Sequence, residues 1–226
     1  MNWKDYQTDK ENLHRYQEHY DKHLGLIREE VTSVLEIGIQ HGHSIALWLD
    51  YFPNAMIYAV DIDPKAVDAA RAQYGTNPRV AFGQVDASEV GNLSAWTYDM
   101  KIESFDVVID DGSHRMQDQE QALLFGAHWS NYFTIIEDLH TSRMNSRTYG
   151  IDPDKDTFLD LCQKWPDLTS IEPVSLSRTD LEWCFDNFRK LHLEKGRVSE
   201  IAFFERDGST VKARRNDLAI LLNEEE

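Results

Sequence analysis

Cysteine is scarce in this 226-residue chain. Only Cys162 and Cys184 occur, too few for a disulfide framework or a cysteine-based zinc site. Long apolar runs are missing too: none reaches the ~20 residues that a membrane-spanning helix requires. The opening MNWKDYQTDKENLHRYQEHY lacks the apolar core of a signal peptide. Positive charge is in short supply, with 23 Lys and Arg against 40 Asp and Glu and a formal net charge of −17. That balance argues against nucleic acid or an anionic membrane as partner. The expectation is a soluble cytoplasmic protein with one well-buried α/β domain, because this length is too short for two ordinary ones.

What the chain does have is rhythm. Leu13, Tyr16, Tyr20, Leu24 and Ile27 recur at helical spacing and predict one N-terminal helix over residues 9–30. Strands follow at 31–37, 56–60, 79–85, 105–109 and 132–137, separated by helices that begin near Ser44, Pro64 and Met116 and by a short helix or loop over 88–98. Pro64 suits a first helical turn. A helix over 154–165 and another from Thr179-Asp180-Leu181-Glu182 to near Gly196 come next. The end of the chain reads two ways. Strands 199–205 and 210–213 flank Asp207-Gly208-Ser209 as a hairpin, or 190–193 pairs with 201–204. The fold class is α/β: a Rossmann-like, doubly wound, mainly parallel seven-stranded sheet with helices on both faces and an antiparallel C-terminal strand. A helical cap (1–30), a catalytic core (31–215) and an acidic tail (216–226) make one domain.

Two segments carry most of the chemistry. Val107-Val108-Ile109-Asp110-Asp111-Gly112-Ser113-His114 and Phe133-Thr134-Ile135-Ile136-Glu137-Asp138-Leu139-His140 are apolar runs that stop abruptly in carboxylates and a histidine. Buried parallel strands read this way, and ligands bind at the carboxyl edge of such sheets. Neighbouring strands of this kind bring Asp111, Glu137 and Asp138 together with His114 beside them. Three carboxylates repel unless cations or protons compensate them, so the cluster reads as a divalent metal site with an adjacent base. Oxygen donors suit Mg²⁺. Asp110, alternating to the opposite face, either braces the following turn or joins the cofactor contacts.

The first crossover, Glu36-Ile37-Gly38-Ile39-Gln40-His41-Gly42-His43-Ser44, joins strand to helix. Gly38 and Gly42 let backbone approach a ligand, and the helix start at Ser44 offers free N–H groups. Neither a dinucleotide fingerprint nor a phosphate loop is present. The loop suits a cationic, phosphate-free nucleoside such as S-adenosylmethionine, with Glu36 facing its ammonium group or bracing the loop. Asp61 ends the second strand as a bidentate acceptor for ribose hydroxyls. Asp86 ends the third near an adenine amino group, with Trp96 close in sequence as a possible stacking partner. Asp63, just before Pro64, reads as a helix N-cap.

These residues resemble the class I S-adenosylmethionine-dependent methyltransferases, and among them the metal-dependent sugar O-methyltransferases of the macrocin and mycinamicin type. The matching segments are Leu35-Glu36-Ile37-Gly38, Val60-Asp61-Ile62, Ile109 to His114 and Ile136-Glu137-Asp138-Leu139-His140-Thr141-Ser142. Thr8-Asp9-Lys10, with His14, Tyr16 and Tyr20 beyond, also resembles this group. The resemblance implies Mg²⁺ held by Asp111, Glu137 and Asp138, with His114 and Asp111 catalytic. It also implies a homo-oligomer acting on a sugar or glycoside hydroxyl. A catechol-type O-methyltransferase or a non-catalytic S-adenosylmethionine-binding protein are the alternatives. His140, Arg143, Tyr149 and Tyr16 are the candidate acceptor contacts. His14, His19 and His23 are expected on a solvated helix face.

Overall fold

The computed structural model describes residues 1–144 and 147–206. The expected strand 210–213 and the acidic tail lie outside the described residues. Two short helices, α1 (Asp9–Asn12) and α2 (Gln17–Leu24), precede the sheet. Then strands β1 (Ser33–Ile37), β2 (Met56–Asp61), β3 (Val80–Gln84), β4 (Phe105–Asp110) and β5 (Ser130–Ile136) alternate with helices α3 (His43–Tyr51), α4 (Pro64–Tyr74), α5 (Val90–Asp99) and α6 (Met116–Trp129). Helices α7 (Phe158–Lys164) and α8 (Arg178–Asn187) lead to β6 (Lys190–Lys195) and β7 (Glu200–Glu205).

The sheet order is β3-β2-β1-β4-β5-β7-β6, a Rossmann-like arrangement. β1 to β5 are parallel, while β7 runs antiparallel between β5 and β6. The chain winds outward from β1 to β3 and returns to place β4 on the other side of β1, so the switch point falls between β1 and β4. Crevices at such switch points take ligands. Every residue of β4 is buried, and successive side chains go to opposite faces. Val108 joins the core under α6 and α7 with Leu123, Phe125, Phe158 and Phe204. Val107 and Ile109 join the other core with Trp3, Tyr20, Ile45, Trp48 and Phe203.

Two sequence expectations are revised and one open choice is resolved. The single helix over 9–30 breaks between α1 and α2, where Arg15 has φ 61°. The His14 carbonyl there accepts from the Arg197 amide at 2.7 Å, so contact with the β6–β7 turn overrides helical periodicity. The helix expected from Thr179 instead starts at a Ser177/Asp180 capping box and stops at Asn187, because residues 190–195 are claimed as a strand. Of the two C-terminal pairings left open, the structure adopts β6 with β7, Lys190 opposite Glu205.

Close approach between α6 and β5 hinges on Gly126. A Cβ there would lie 2.0 Å from Thr134 Oγ1, whereas one on Gly91 in α5 would meet nothing within 4 Å. Gly126→Ala is therefore expected to lose ~1–3 kcal/mol through overpacking, while Gly91→Ala is neutral or gains about 0.4–1 kcal/mol. Urea midpoints measure both, and similar losses at the two positions would contradict this packing.

Candidate active site

Beyond the strand ends, the ladder continues for one more residue. The Asp111 amide donates to the Ile37 carbonyl at 2.9 Å and the Glu137 amide to the Asp110 carbonyl at 3.0 Å. These bonds set Asp111 and Glu137 side by side at the switch point. Gly38, at φ 98°, lies under them: a Cβ would sit 2.2 Å from the Asp111 carbonyl oxygen.

A lysine stands between the two carboxylates. Lys10 is 1% exposed, and its Nζ donates to Asp111 Oδ2 at 2.6 Å and Glu137 Oε2 at 2.8 Å. Glu36 Oε1 is a further 3.7 Å contact. Burial acts to lower the Lys10 pKa, but the carboxylates of Asp111, Glu137 and Glu36 outweigh it and hold the ammonium charged. Tyr20 OH donates to Glu137 Oε1 at 2.5 Å, so both oxygens of Glu137 face inward. Sequence reasoning gave Lys10 no role. The available signal was the surplus of carboxylates, which demanded a counter-cation from somewhere in the chain.

Asp138 and His114 form the outer part. Both are left-handed, at φ 60° and 56°, a conformation that costs a non-glycine residue energy and concentrates at functional sites. His114 Nε2 lies 3.7 Å from Asp138 Oδ2 and 4.0 Å from Asp111 Oδ1. Donor atoms of Asp111, His114 and Asp138 all fall within 4.8 Å of one another. Glu137 belongs to no such group among the described residues, so the structure does not bring it into the expected metal trio. Tyr16 OH donates to Asp138 Oδ1 at 2.9 Å, closing the N-terminal segment over the sheet edge.

The cofactor candidates separate into brace and lining. Glu36 is fully buried and accepts from Ser44 Oγ and Trp48 Nε1, both at 2.8 Å. It pins α3 rather than facing the cleft, and burial raises its pKa. Gly42 caps α3 in the left-handed region. Asp61 Oδ2 accepts from the Ile39 and Gln40 amides at 2.8 and 3.0 Å, and Oδ1 from Asp63 at 2.9 Å. A carboxylate has about four acceptor positions, so Asp61 shapes the loop and keeps one position for a hydroxyl. The Ser88 hydroxyl, followed by the Ser88 amide that donates to Asp86 at 3.0 Å, lowers the Asp86 pKa. Asp110 is buried, and desolvation followed by the Asp111 charge pushes its pKa up to about 8. Gly38, Ser44, Asp61, Asp86 and Asp110 border one cleft of about 1210 Å³ that runs to His114 and Asp138. Asp63 caps α4 as expected. Trp96 instead packs over Gly83.

The acceptor candidates are spread more widely. His140 bonds Ser199 Oγ through Nδ1 at 2.9 Å and sits near Asp138. Arg143 pairs with Glu200 at 2.6 Å, and Tyr149 packs against the α6–α7 core. Neither lines the cleft. His14 and His19 are buried rather than solvated, because the broken helix lays that face on the β6–β7 hairpin: His19 Nε2 is 3.2 Å from the Lys195 carbonyl.

Residues 34–128 match the family model of a methyltransferase domain. The chain is 32% identical over 147 residues to L-olivosyl-oleandolide 3-O-methyltransferase of Streptomyces antibioticus, covering 61% of this chain and 36% of that protein. It is 34% identical over 140 residues to demethylmacrocin O-methyltransferase of Streptomyces fradiae, covering 58% and 33%. Mycinamicin VI 2''-O-methyltransferase of Micromonospora griseorubida is 36% identical over 110 residues, covering 45% and 25%. The chain thus spans about a third or less of the length of these curated relatives. The fold is shared with the solved fibrillarin/Nop5p complex at TM-score 0.50 and 14% identity, covering 78% of this chain and 73% of that one.

Removing the Lys10 charge would leave the buried Glu137 and the partly exposed Asp111 without compensation. Lys10→Met is expected to cost ~3–5 kcal/mol, and adding Glu137→Gln should recover part of it, with a coupling of about 0.5–3 kcal/mol. Chemical denaturation of the four proteins in the cycle measures this. Strict additivity would show that the ammonium does not hold these carboxylates.

Proposed function

We propose that this chain, a relative of the class I S-adenosylmethionine-dependent methyltransferases with the fold of that class, methylates a sugar hydroxyl on a small-molecule acceptor. In this reading Asp111 and Asp138 hold Mg²⁺ and His114 is the general base. The observation that carries it is the convergence of Asp111, His114 and Asp138 donors within 4.8 Å at one end of the cleft.

The donor set fits the ion. Mg²⁺ binds through one or two carboxylates and keeps positions for water or substrate oxygens, and Asp111 Oδ1 and Asp138 Oδ2 both face His114. Glu137 acts at one remove, fixing Lys10 and hence Asp111. The charge balance also fits: among the described residues Lys10 pairs with Glu36, Asp111 and Glu137, while Asp138 turns an oxygen to the cleft, which favours a dication and a sulfonium nearby.

Free imidazole has a pKa near ~6.5, far below that of an aliphatic hydroxyl, so alone it is a poor base for one. When bound, Mg²⁺ would supply Lewis acidity that lowers the acceptor hydroxyl's pKa. His114 Nε2 takes the hydroxyl proton. When bound, S-adenosylmethionine would supply the methyl group to that oxygen and leave as the neutral thioether. The Gly38–Gln40 loop, the free acceptor position of Asp61, and Asp86 line the donor's place, and the Asp138 end takes the acceptor. Alignment of oxygen, carbon and sulfur is the positional contribution of the fold.

His114→Ala is expected to lower kcat about 100- to 10,000-fold while S-adenosylhomocysteine binding is retained. Transfer of labelled methyl to a deoxysugar glycoside should stop with chelator and return with Mg²⁺. Turnover indifferent to chelation would overturn the metal assignment. Cofactor binding with no product from any hydroxylated acceptor would overturn the enzymatic reading.

A further inference from the structure

Asp138 has two oxygens with different company. Oδ2 faces His114, while Oδ1 faces His14, whose Nδ1 is 3.3 Å away. We propose that His14 and His140, with the Oδ1 side of Asp138, form a second cation site that takes a nitrogen-preferring dication of the zinc, cobalt or nickel class. This stands whether or not the neighbouring site transfers a methyl group.

Donors of His14, Asp138 and His140 lie within 4.8 Å of one another. His14 is 3% exposed, and its Nδ1 is buried without a hydrogen-bond partner, a costly state for a polar atom. Ligands about 2.1 Å from a tetrahedral ion sit about 3.4 Å apart, close to the separation of Nδ1 and Oδ1. Ser199 Oγ accepts from the His140 amide at 3.1 Å, lies 2.9 Å from His140 Nδ1 and is 3.1 Å from the Glu200 carbonyl. The site requires the tautomer in which Nδ1 donates to Ser199 and Nε2 keeps its lone pair, the arrangement usual for a metal-bound histidine.

One turn holds both imidazoles. The Arg197 amide bonds the His14 carbonyl at 2.7 Å, and Ser199 holds His140. Tyr16 stacks on His14 with ring centroids 5.0 Å apart and shares Asp138 Oδ1 through its hydroxyl. Two imidazoles and one carboxylate favour softer ions than Mg²⁺, so the two sides of Asp138 select different metals. An ion here would link the N-terminal segment, the β5 tip and the β6–β7 hairpin, and through Tyr16 would steady the loop that carries Lys10.

The test uses the full chain, stripped of metal with chelator and titrated with Co²⁺ in excess Mg²⁺, which occupies the carboxylate site. A single equivalent of Co²⁺ with visible d–d absorption is expected. His114→Ala should retain it, and His14→Ala or His140→Ala should weaken it more than about 10-fold, with Ser199→Ala weakening it about 10- to 100-fold through the tautomer. Circular dichroism checks that each variant folds, and His140, being less buried than His14, is the safer substitution. Absence of Co²⁺ binding under Mg²⁺ would overturn the site. A spectrum that survives loss of both imidazoles, or that vanishes with His114→Ala, would equally overturn the site.

Discussion

One buried ammonium organises the ligand edge of this protein. The Lys10 Nζ lies within hydrogen-bonding distance of Asp111 and Glu137 and 3.7 Å from Glu36, three carboxylates at the tips of the three neighbouring strands β1, β4 and β5. Without it, the tips of β1, β4 and β5 would place like charges together, two of them, Glu36 and Glu137, sealed from water, where repulsion is least screened. With it, Glu36 is free to pin α3 through Ser44 and Trp48, and Glu137 receives Tyr20. The N-terminal segment is thus part of the site's construction. It supplies Lys10, Tyr16 and Tyr20, and each of the three ends on a carboxylate of the sheet edge.

The arrangement divides four acids by task. Glu36 and Glu137 are sealed and structural, whereas Asp111 and Asp138 turn an oxygen toward His114. Backbone geometry enforces that division. The ladder bonds beyond the strands orient Asp111 and Glu137, and the left-handed turns at His114 and Asp138 swing the last two groups outward to meet at the cleft. Strain of that kind is sustained only where surrounding contacts over-determine it. Here the Thr141 hydroxyl on the His114 carbonyl and Tyr16 on Asp138 are two of those contacts.

Much of this was legible in the chain. Apolar runs ending in Asp-Asp and Glu-Asp announced parallel strands whose tips meet, and β4 and β5 are adjacent with Asp110 level with Ile136. Pro64 after Asp63 announced a capped helix that the structure contains. What stayed hidden depended on tertiary partners. Periodicity could not show that residues 13–16 break from helix, because the break is held by Arg197 nearly two hundred residues away. Nor could it distinguish Glu36 as a brace from Glu36 as a ligand contact, since that turns on Trp48 one helix later. The burial of Lys10 and His14 has the same origin: both are polar residues in a polar stretch, drawn inward by acids supplied from elsewhere.

In the proposed function, one ammonium and one hard dication share the carboxylates, the ammonium between Asp111 and Glu137 and the ion between Asp111 and Asp138. The most direct measurement is a crystal structure with S-adenosylhomocysteine and Mn²⁺ in place of Mg²⁺, the ion located by anomalous scattering. The expected result is a manganese peak about 2.1–2.2 Å from oxygens of Asp111 and Asp138 beside His114, with Lys10 still bridging Asp111 and Glu137. A peak between Asp111 and Glu137 with Lys10 displaced, or none at this edge, would contradict the account.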